Sequence, residues 1–320
     1  MEGNKSNGFL RFLKYLWAEH SIIIVFVVIF ATCIIIAPPR FFTIQNIMTI
    51  LRNASIIGVI ALGITFVIIT GGIDLSAGHV VAVSGSILIL LQGREDVPLI
   101  LAILACFAVA TFVGFVNGFI VTKFKVPPFI VTLAIGTIAR SLTMFFLQGR
   151  TVSGRNVPEF TQIGSGSQWI IPNALIIWIT AAVILGCVLA YTKFGSYVYA
   201  VGGNENAARY SGINVDRVRI MAYTITGFMV GIAALLDMSR MAAVSPPTSG
   251  LYYEFDAITA AVVGGAALSG GKGRMYGTVL GMILIALVSN LMIMMQMSPF
   301  LSGTVKGVII LLAVLLQRKG

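Results

Sequence analysis

Charge is scarce in this chain. Lys, Arg, Asp and Glu together make up 10% of its 320 residues, where a soluble domain carries about 25%. Hydrophobic residues reach 58%, and mean hydropathy is +0.99. That little polar surface cannot cover a water-facing body, so a soluble globular class is excluded and the solvent is mostly lipid. Histidine is scarcer still, with two, His20 and His79. The 11 acids lie mostly in loops or near the ends of apolar runs, with Asp74 and Asp256 nearest to membrane depth. No HExxH, GxSxG or Cys/His cluster occurs, which disfavours a membrane-embedded enzyme. A proton-coupled carrier needs intramembrane carboxylates or histidines for its relay. Their scarcity counts against one, although sodium coupling through backbone carbonyls stays open. The three cysteines, Cys33, Cys106 and Cys187, stand far apart in apolar segments and read as small hydrophobes.

A phosphate loop is also missing. "LSGGKGRM" contains Gly-Lys, but Ala266 and Gly273 occupy the positions that the motif reserves for glycine and for Ser or Thr. The chain is therefore not expected to bind ATP, and no cofactor or metal is expected in it. Lys272 reads as a cationic anchor.

What is present is apolar length. A crossing takes about 20 apolar residues, with a lower limit near 17. Ten segments read as spans, the eighth and tenth slightly under that limit: 21–37, 53–70, 75–91, 99–121, 128–146, 174–191, 220–236, 256–270, 275–297 and 301–316. The eighth is the shortest and is rich in glycine. The fold expected is all-α and polytopic. Residues 1–20 form an interfacial N-terminal segment, and 21–320 one transmembrane domain. "CIIIAPPR" offers no signal-peptide cleavage site, so 21–37 reads as a retained span.

Loop charge orients the chain. With the N-terminus inside, cytoplasmic segments hold Lys5, Arg11, Lys14, Lys123, Lys125, Lys193, Arg209, Arg217, Arg219, Lys272, Arg274, Arg318 and Lys319. Outer segments hold only Arg40, Arg52, Arg94, Arg150, Arg155 and Arg240. The bias places both termini in the cytoplasm. It also explains the net charge of +10 without nucleic acid; lipid is the expected surroundings of the spans. Long loops then fall outside at 147–173 and 237–255, and inside at 192–219. Arg140 lies within a span, reading as a paired or snorkelling arginine or as a pathway residue.

Glycine numbers 34. Gly114/Gly118, Gly227/Gly231, Gly277/Gly281 and Gly303/Gly307 have the GxxxG spacing that lets helix backbones approach closely in lipid. "TGGIDLSAG" (70–78) and "VGGAALSGG" (263–271) share G-G-x-x-L-S-x-G, which suggests an internal repeat matching spans 1–4 to spans 7–10 in the same orientation. Chance is the alternative. Residues 53–70 rise about 27 Å as helix, which puts the first of these seams at the cytoplasmic interface. Gly71 and Gly72 would close one helix there. Asp74 would cap the next, starting at Leu75, by accepting the amide of Ser76 or Ala77. The alternative is that the seam lines the inner mouth of a path. Its candidates are Gly71, Gly72, Asp74, Ser76 and Gly78, with Gly264, Gly265 and Ser269 in the second copy.

Three stretches carry a resemblance. "NIMTILRNASIIGVIALGITFVIITGGIDLSAG", "VGGNENAARYSGINVDRVRIMAYTITGFMVGIAALL" and "YEFDAITAAVVGGAALSGGKGRMYGTVLGMILIALVSNLM" resemble the permease subunits of ribose-type ABC sugar importers, and the likeness extends over nearly all of residues 40–316. The family pattern commonly runs "LS-V-G-S", and His79 departs from it. The resemblance implies an inner-membrane subunit that moves a monosaccharide delivered by a periplasmic binding protein. It also implies a second permease copy, and partner ATPase subunits that hold the ATP and magnesium. An ion-coupled carrier is the alternative, as is an ABC permease for a nucleoside or branched-chain amino acid. Within "GGNENAARYSGINVDR", Asn204 is placed to cap a short helix with Glu205 in its first turn and Gly212 past its end. Asn214 caps the next. The short helix resembles an ABC coupling helix, with Asn204, Glu205, Ala207, Ala208, Arg209 and Gly212 meeting the ATPase. In the outer loops Arg150, Arg155, Glu159, Arg240 and Glu254 are candidates for docking the binding protein.

Overall fold

The computed structural model describes residues 39–298, with Phe30 and residues 301, 303, 304, 307 and 308 besides. The expected segment 1–20 and the expected spans 21–37 and 301–316 otherwise lie outside the described residues.

After a 3-10 turn, Pro39–Phe42, helix α1 runs from Ile44 to Ile69. It starts nine residues before the expected span 53–70. Gln45, Asn46, Arg52 and Asn53 dilute its hydropathy there, yet its start is well made. The Thr43 hydroxyl accepts the Asn46 amide, and Asn46 exchanges side-chain amide bonds with Asn290 at 2.9 and 3.0 Å. α2 is Ala77–Gln92, α3 Leu99–Lys123, α4 Pro128–Phe146 and α5 Pro158–Ser165. α6 is Asn173–Tyr191, α7 Lys193–Gly203, α8 Glu205–Tyr210 and α9 Val215–Met241. α10 is Tyr253–Val263 and α11 Met275–Met294. Four two-residue strands complete the described chain: β1 Val152–Ser153, β2 Ser167–Gln168, β3 Ile171–Pro172 and β4 Ala243–Val244.

Among the described residues, six helices are long and apolar enough to cross a membrane: α1, α3, α4, α6, α9 and α11. The chain is thus a polytopic helical membrane protein. α1 and α9 form its centre, and α1 is enclosed on nearly every face from Ala54 onward. α3, α4 and α6 keep long apolar side chains outside, including Phe112, Phe129, Phe145 and Ile184.

Two expected spans are corrected. Residues 256–270 are not one helical crossing. α10 has 11 residues, a rise of about 16 Å. It ends where Gly265 takes a φ of +91°, a left-handed conformation that glycine adopts without steric cost. The 75–91 span is likewise broken. α2 starts at Ala77, not Leu75, and rises only about 24 Å over its 16 residues. Residues 72–76 before it are non-helical.

Three of the four GxxxG pairs act within the chain; a Cβ added at Gly303 or Gly307 meets nothing within 4 Å among the described residues. A Cβ added at Gly114 would lie 2.9 Å from the Gly227 Cα, and one at Gly231 3.2 Å from the Phe107 Cα. α3 and α9 therefore touch backbone to backbone. A Cβ at Gly264 would lie 2.5 Å from the Gly277 carbonyl carbon, and one at Gly281 would strike the Ala260 carbonyl oxygen. That seats α11 against the end of α10.

Candidate translocation and coupling site

Two turns and one helix end meet at one end of the bundle. The first turn follows α1, where Gly71 adopts a φ of +80° and the amides of Gly71 and Gly72 close on Ile68 and Val67. The second follows α10, with Gly270 and Gly271 at +86° and +74°. The Gly271 amide donates to the Ile69 carbonyl at 2.8 Å, satisfying a carbonyl that the end of α1 would otherwise leave open. A Cβ at Gly270 would lie 3.1 Å from the Gly71 nitrogen. The third member is the end of α7. A Cβ at Gly202 would strike the Ile69 carbonyl, and one at Gly271 would lie 2.9 Å from the Gly203 Cα. Among the path candidates, Gly71, Gly265 and Ser269 are exposed here, and Gly72 and Gly264 are buried.

α8 hangs directly from this junction. Its cap, Asn204, follows Gly203 and accepts the Ala207 amide at 2.9 Å. The chain closes the helix at Gly212, whose φ is +81°. The second cap is also present, the Asn214 side chain accepting the Arg217 amide at 3.0 Å. Arg209 bridges Glu205 at 3.0 Å and Asp216 at 2.8 Å, and Arg219 bridges Glu205 at 2.8 Å. Partial burial pushes the Glu205 carboxyl up, but the hydrogen bonds and charges of Arg209 and Arg219 outweigh it and hold it below the usual glutamate value. The ion pairs tie α8 to the first turns of α9. Ala208 faces inward at 4% exposed. Asn204, Asn206, Ala207, Arg209 and Tyr210 face out, Tyr210 at 92%. Of the coupling candidates, then, Ala208 seats α8 on the bundle, and Ala207 is the small residue offered to the outside.

From Gly72 the chain climbs into the bundle, which revises the expected position of the seam. A Cβ at Gly136 would lie 3.1 Å from the Ser76 Cα and 2.7 Å from the His79 ring. Gly136 is eight residues into α4, about 12 Å along it. Ser76 and His79 therefore sit near the middle of α4, and not at its rim. Asp74 is buried, at 2% exposed. Its Oδ1 accepts the Ser76 amide at 2.9 Å and the Ser76 hydroxyl at 2.7 Å. The expected contact with the Ser76 amide is present, but the cap position itself belongs to Ser76. The segment is clamped from three helices. The Asn117 amide donates to the Ser76 Oγ at 2.8 Å, Thr132 accepts the Leu75 amide at 3.0 Å, and the Tyr223 hydroxyl donates to the Ile73 carbonyl at 3.2 Å. Non-helical backbone at membrane depth persists only where protein or a water-filled path supplies its hydrogen bonds. Asn117 is a clamp the sequence reading missed; a lone amide in the apolar run "FVNGFIV" is the signal for it.

A second unwound segment arrives from the opposite end. After β4 the chain turns inward, so that a Cβ at Gly250 would lie 3.0 Å from the Val81 Cβ and would strike the Gly78 carbonyl. Arg140 fastens it. Its Nη1 donates to the carbonyls of Pro246 and Ser249 at 2.6 and 2.8 Å, and its Nε to His79 Nδ1 at 3.2 Å. Arg140 is thus paired, and it holds α4, α2 and the re-entrant segment together. Glu254, at 3% exposed, packs its carboxylate where a Gly78 Cβ would stand. It faces the interior and is withdrawn from the docking candidates. Arg140 Nη2, Glu254 Oε2 and Asn117 Oδ1 are buried without a hydrogen-bond partner among the described residues. Such atoms make this centre a polar locus inside an apolar bundle.

The remaining docking candidates lie together at the far end. Val152 pairs with Val244 and Ser153 with Ala243, joining the two long loops expected outside. Arg150, Arg155, Glu159 and Arg240 are exposed. Gln92 grips the Arg155 backbone through two bonds of 2.9 Å, and Arg240 donates to Asn53 Oδ1 at 2.6 Å. Among the described residues no group of His, Cys, Asp and Glu could hold a metal ion.

Comparison with known proteins bears on this geometry. The family described as "Branched-chain amino acid transport system / permease component" matches residues 46–314. The chain is 38% identical over 320 residues to the ribose import permease protein of Haemophilus influenzae, covering 98% of this chain and 97% of that protein. It is 41% identical over 284 residues to the ribose import permease protein of Bacillus subtilis, covering 88% and 87%. It is 33% identical over 303 residues to the L-arabinose transport system permease protein of Escherichia coli K12, covering 95% and 91%.

Proposed function

The chain belongs to the family of permease components typified by branched-chain amino acid transport systems, and from that membership we propose that it is the permease subunit of an ABC importer for a monosaccharide. The observation that carries the sugar is the 38% identity to a ribose import permease across 98% of the chain. The arabinose relative adds a second pentose. The subunit is a multi-pass protein of the bacterial inner membrane. Its full plan is ten crossings in one domain, 21–320, two of them, at 75–91 and 256–270, made by broken helices, with both termini cytoplasmic, an interfacial segment 1–20 and an internal repeat. What supports the repeat is that Gly71 of the first G-G-x-x-L-S-x-G copy touches Gly270 of the second; beyond that contact the copies diverge, Ser76 lying buried in the bundle and Ser269 exposed at its end.

The work is divided among partners. A periplasmic binding protein docks on the joined outer loops, near Arg150, Arg155, Glu159 and Arg240. A second permease copy completes the path. ATPase subunits hold ATP and magnesium on the cytoplasmic face and seat α8 through Asn204, Ala207 and Arg209. No residue of this chain makes or breaks a covalent bond; its part is a change of conformation. ATP can shift the permease between inward- and outward-facing states only through a contact that differs between them. α8 is that contact. One peptide bond joins Asn204 to Gly203, and the Gly202–Gly203 pair presses on both glycine turns. Movement of α8 therefore reaches the base of the unwound segment 72–76. Above it, Gly78 packs against Gly250 of the re-entrant segment held by Arg140, and the sugar path runs past that meeting point and the neighbouring Asp74 and Ser76.

Uptake of labelled ribose into proteoliposomes holding the permease, its ATPase and the binding protein tests the substrate class. Competition by unlabelled pentoses and not by leucine is the expected result. Competition by leucine alone would assign the chain to an amino-acid importer.

A further inference from the structure

The contact between α3 and α9 leaves a trench beside it. Gly114, Gly118 and Gly227 bring the two backbones together, and the long side chains flanking the contact stand as walls. The trench, about 530 Å³, is lined by Phe115, Ile220, Met221, Thr224 and Ile225, with Lys123, Arg217 and Asn214 at its mouth. It continues deeper along α3 past Phe112 into a second apolar groove of about 580 Å³, and Phe115 and Thr224 line both.

The mouth is cationic. Lys123 and Arg217 are exposed, and their side chains make no ion pair or hydrogen bond among the described residues. Asp216 is the one acid at the mouth, and Arg209 holds its carboxylate at 2.8 Å. The two cations thus face the trench without a counter-charge. Between Phe112 and Lys123 α3 rises about 16 Å, one leaflet of a hydrocarbon core about 30 Å thick.

We propose that this trench is a binding site for an anionic phospholipid of the cytoplasmic leaflet, with its phosphate at Lys123 and Arg217 and an acyl chain laid along Phe115 and Met221. Charge complementarity selects this occupant. The cytoplasmic leaflet is the anionic one, and both cations stand at the end of the bundle assigned to the cytoplasm. A second copy of the chain fits poorly, because a two-fold contact brings the same patch to itself and so gathers four uncompensated cations. The site adjoins the coupling apparatus. Arg217 follows Asp216, which is bridged to Arg209 of α8, so a bound lipid braces the start of α9 that supports the coupling helix. The proposal rests on the membrane orientation argued above, but not on the transported sugar.

Native mass spectrometry of the full chain released from detergent tests it, with palmitoyl-oleoyl phosphatidylglycerol and the matching phosphatidylcholine as probes. The expected result is selective retention of phosphatidylglycerol, falling about fivefold for each cation removed in Lys123→Gln and Arg217→Gln. A control pair on the same chain, Lys125→Gln and Arg94→Gln, should leave retention unchanged. Both target residues are exposed, and an unchanged melting temperature verifies the fold of each variant. Met221→Trp, which fills the trench, should lower retention with both cations intact. Equal retention of the two lipids would overturn the proposal. So would selectivity that survives the double Gln variant, or displacement of the lipid by glycerol phosphate at equal concentration, which would mark a headgroup site without a chain. Copy-to-copy crosslinking through Thr224→Cys would overturn it in favour of a dimer contact. Sugar uptake enters none of these readings.

Discussion

The amide of Gly271 donates to the carbonyl of Ile69 at 2.8 Å, across more than half the chain. This bond joins the turn after α10 to the last turn of α1, and the backbone of Gly202 lies against the same carbonyl. Three segments that sequence separates converge there with no side chain between them. Movement passed inward from α8 through α7 crosses this point, while the ion pairs to α9 form a separate route.

Gly270→Ala tests the junction. At a φ of +86° a side chain costs about 1–2 kcal/mol. Its Cβ would also lie 2.7 Å from the Gly202 carbonyl oxygen and 3.1 Å from the Gly71 nitrogen, forcing the turn away from α7. The expected outcome is a permease that still assembles with its ATPase while uptake per ATP hydrolysed falls. Gly203→Ala is the control, since its added Cβ meets nothing within 4 Å, and its coupling ratio should match the parent's.

On α8 the two alanines should part company. Ala207→Trp projects outward, and is expected to leave insertion and melting temperature unchanged while abolishing stimulation of ATPase activity by loaded binding protein. Ala208→Trp enters a packed site, where overpacking costs about 1–3 kcal/mol, and should lower the melting temperature itself. Equal loss of stability in both would show that the partner does not distinguish the two faces.

Asp74 separates shape from charge. Asp74→Ala removes the acceptor for both the amide and the hydroxyl of Ser76. Leaving buried donors unpaired costs about 1–3 kcal/mol, so thermal stability in detergent should drop. Asp74→Asn keeps an oxygen at Oδ1 and should restore stability. If uptake stays low in the stable Asn variant, the carboxylate acts on the path and not only on the turn.

Much of this was legible beforehand. α4 occupies the span expected for it, because proline starts it and an uninterrupted apolar run follows. Asn204 and Asn214 cap their helices as their spacing foretold, since capping depends only on neighbours in sequence. Three of the four GxxxG pairs were legible as close-packing sites, while their partners were not; Gly303 and Gly307 meet nothing close among the described residues. The broken spans were hidden, because hydropathy measures what a segment dissolves in and not whether it is helical. Residues 72–76 remain non-helical through bonds from Asn117, Thr132 and Tyr223, none of them near in sequence. Glu254 was misplaced for the same reason. Its neighbours in "SGLYYEF" read as an outer loop, and only the return of residues 245–250 onto Gly78 buries it.

Arg140 provides the fourth test. Arg140→Gln cannot serve His79, Pro246 and Ser249 at once, and each buried acceptor left unpaired costs about 1–3 kcal/mol. The re-entrant segment should loosen. Ser249→Cys, partly buried in the parent, should report this as faster labelling, with Thr248→Cys, already exposed, as the reference. Unchanged labelling would mean that Gly250 and Glu254 hold the segment unaided.

The central claim is that this chain moves sugar only when a partner hydrolyses ATP. Vanadate inhibition of sugar uptake in proteoliposomes carrying the permease, its ATPase and the loaded binding protein measures it most directly. The account predicts uptake that needs ATP, stops with vanadate and is absent from liposomes holding the permease alone. Uptake by the permease alone, driven by a sodium or proton gradient and indifferent to vanadate, would contradict it.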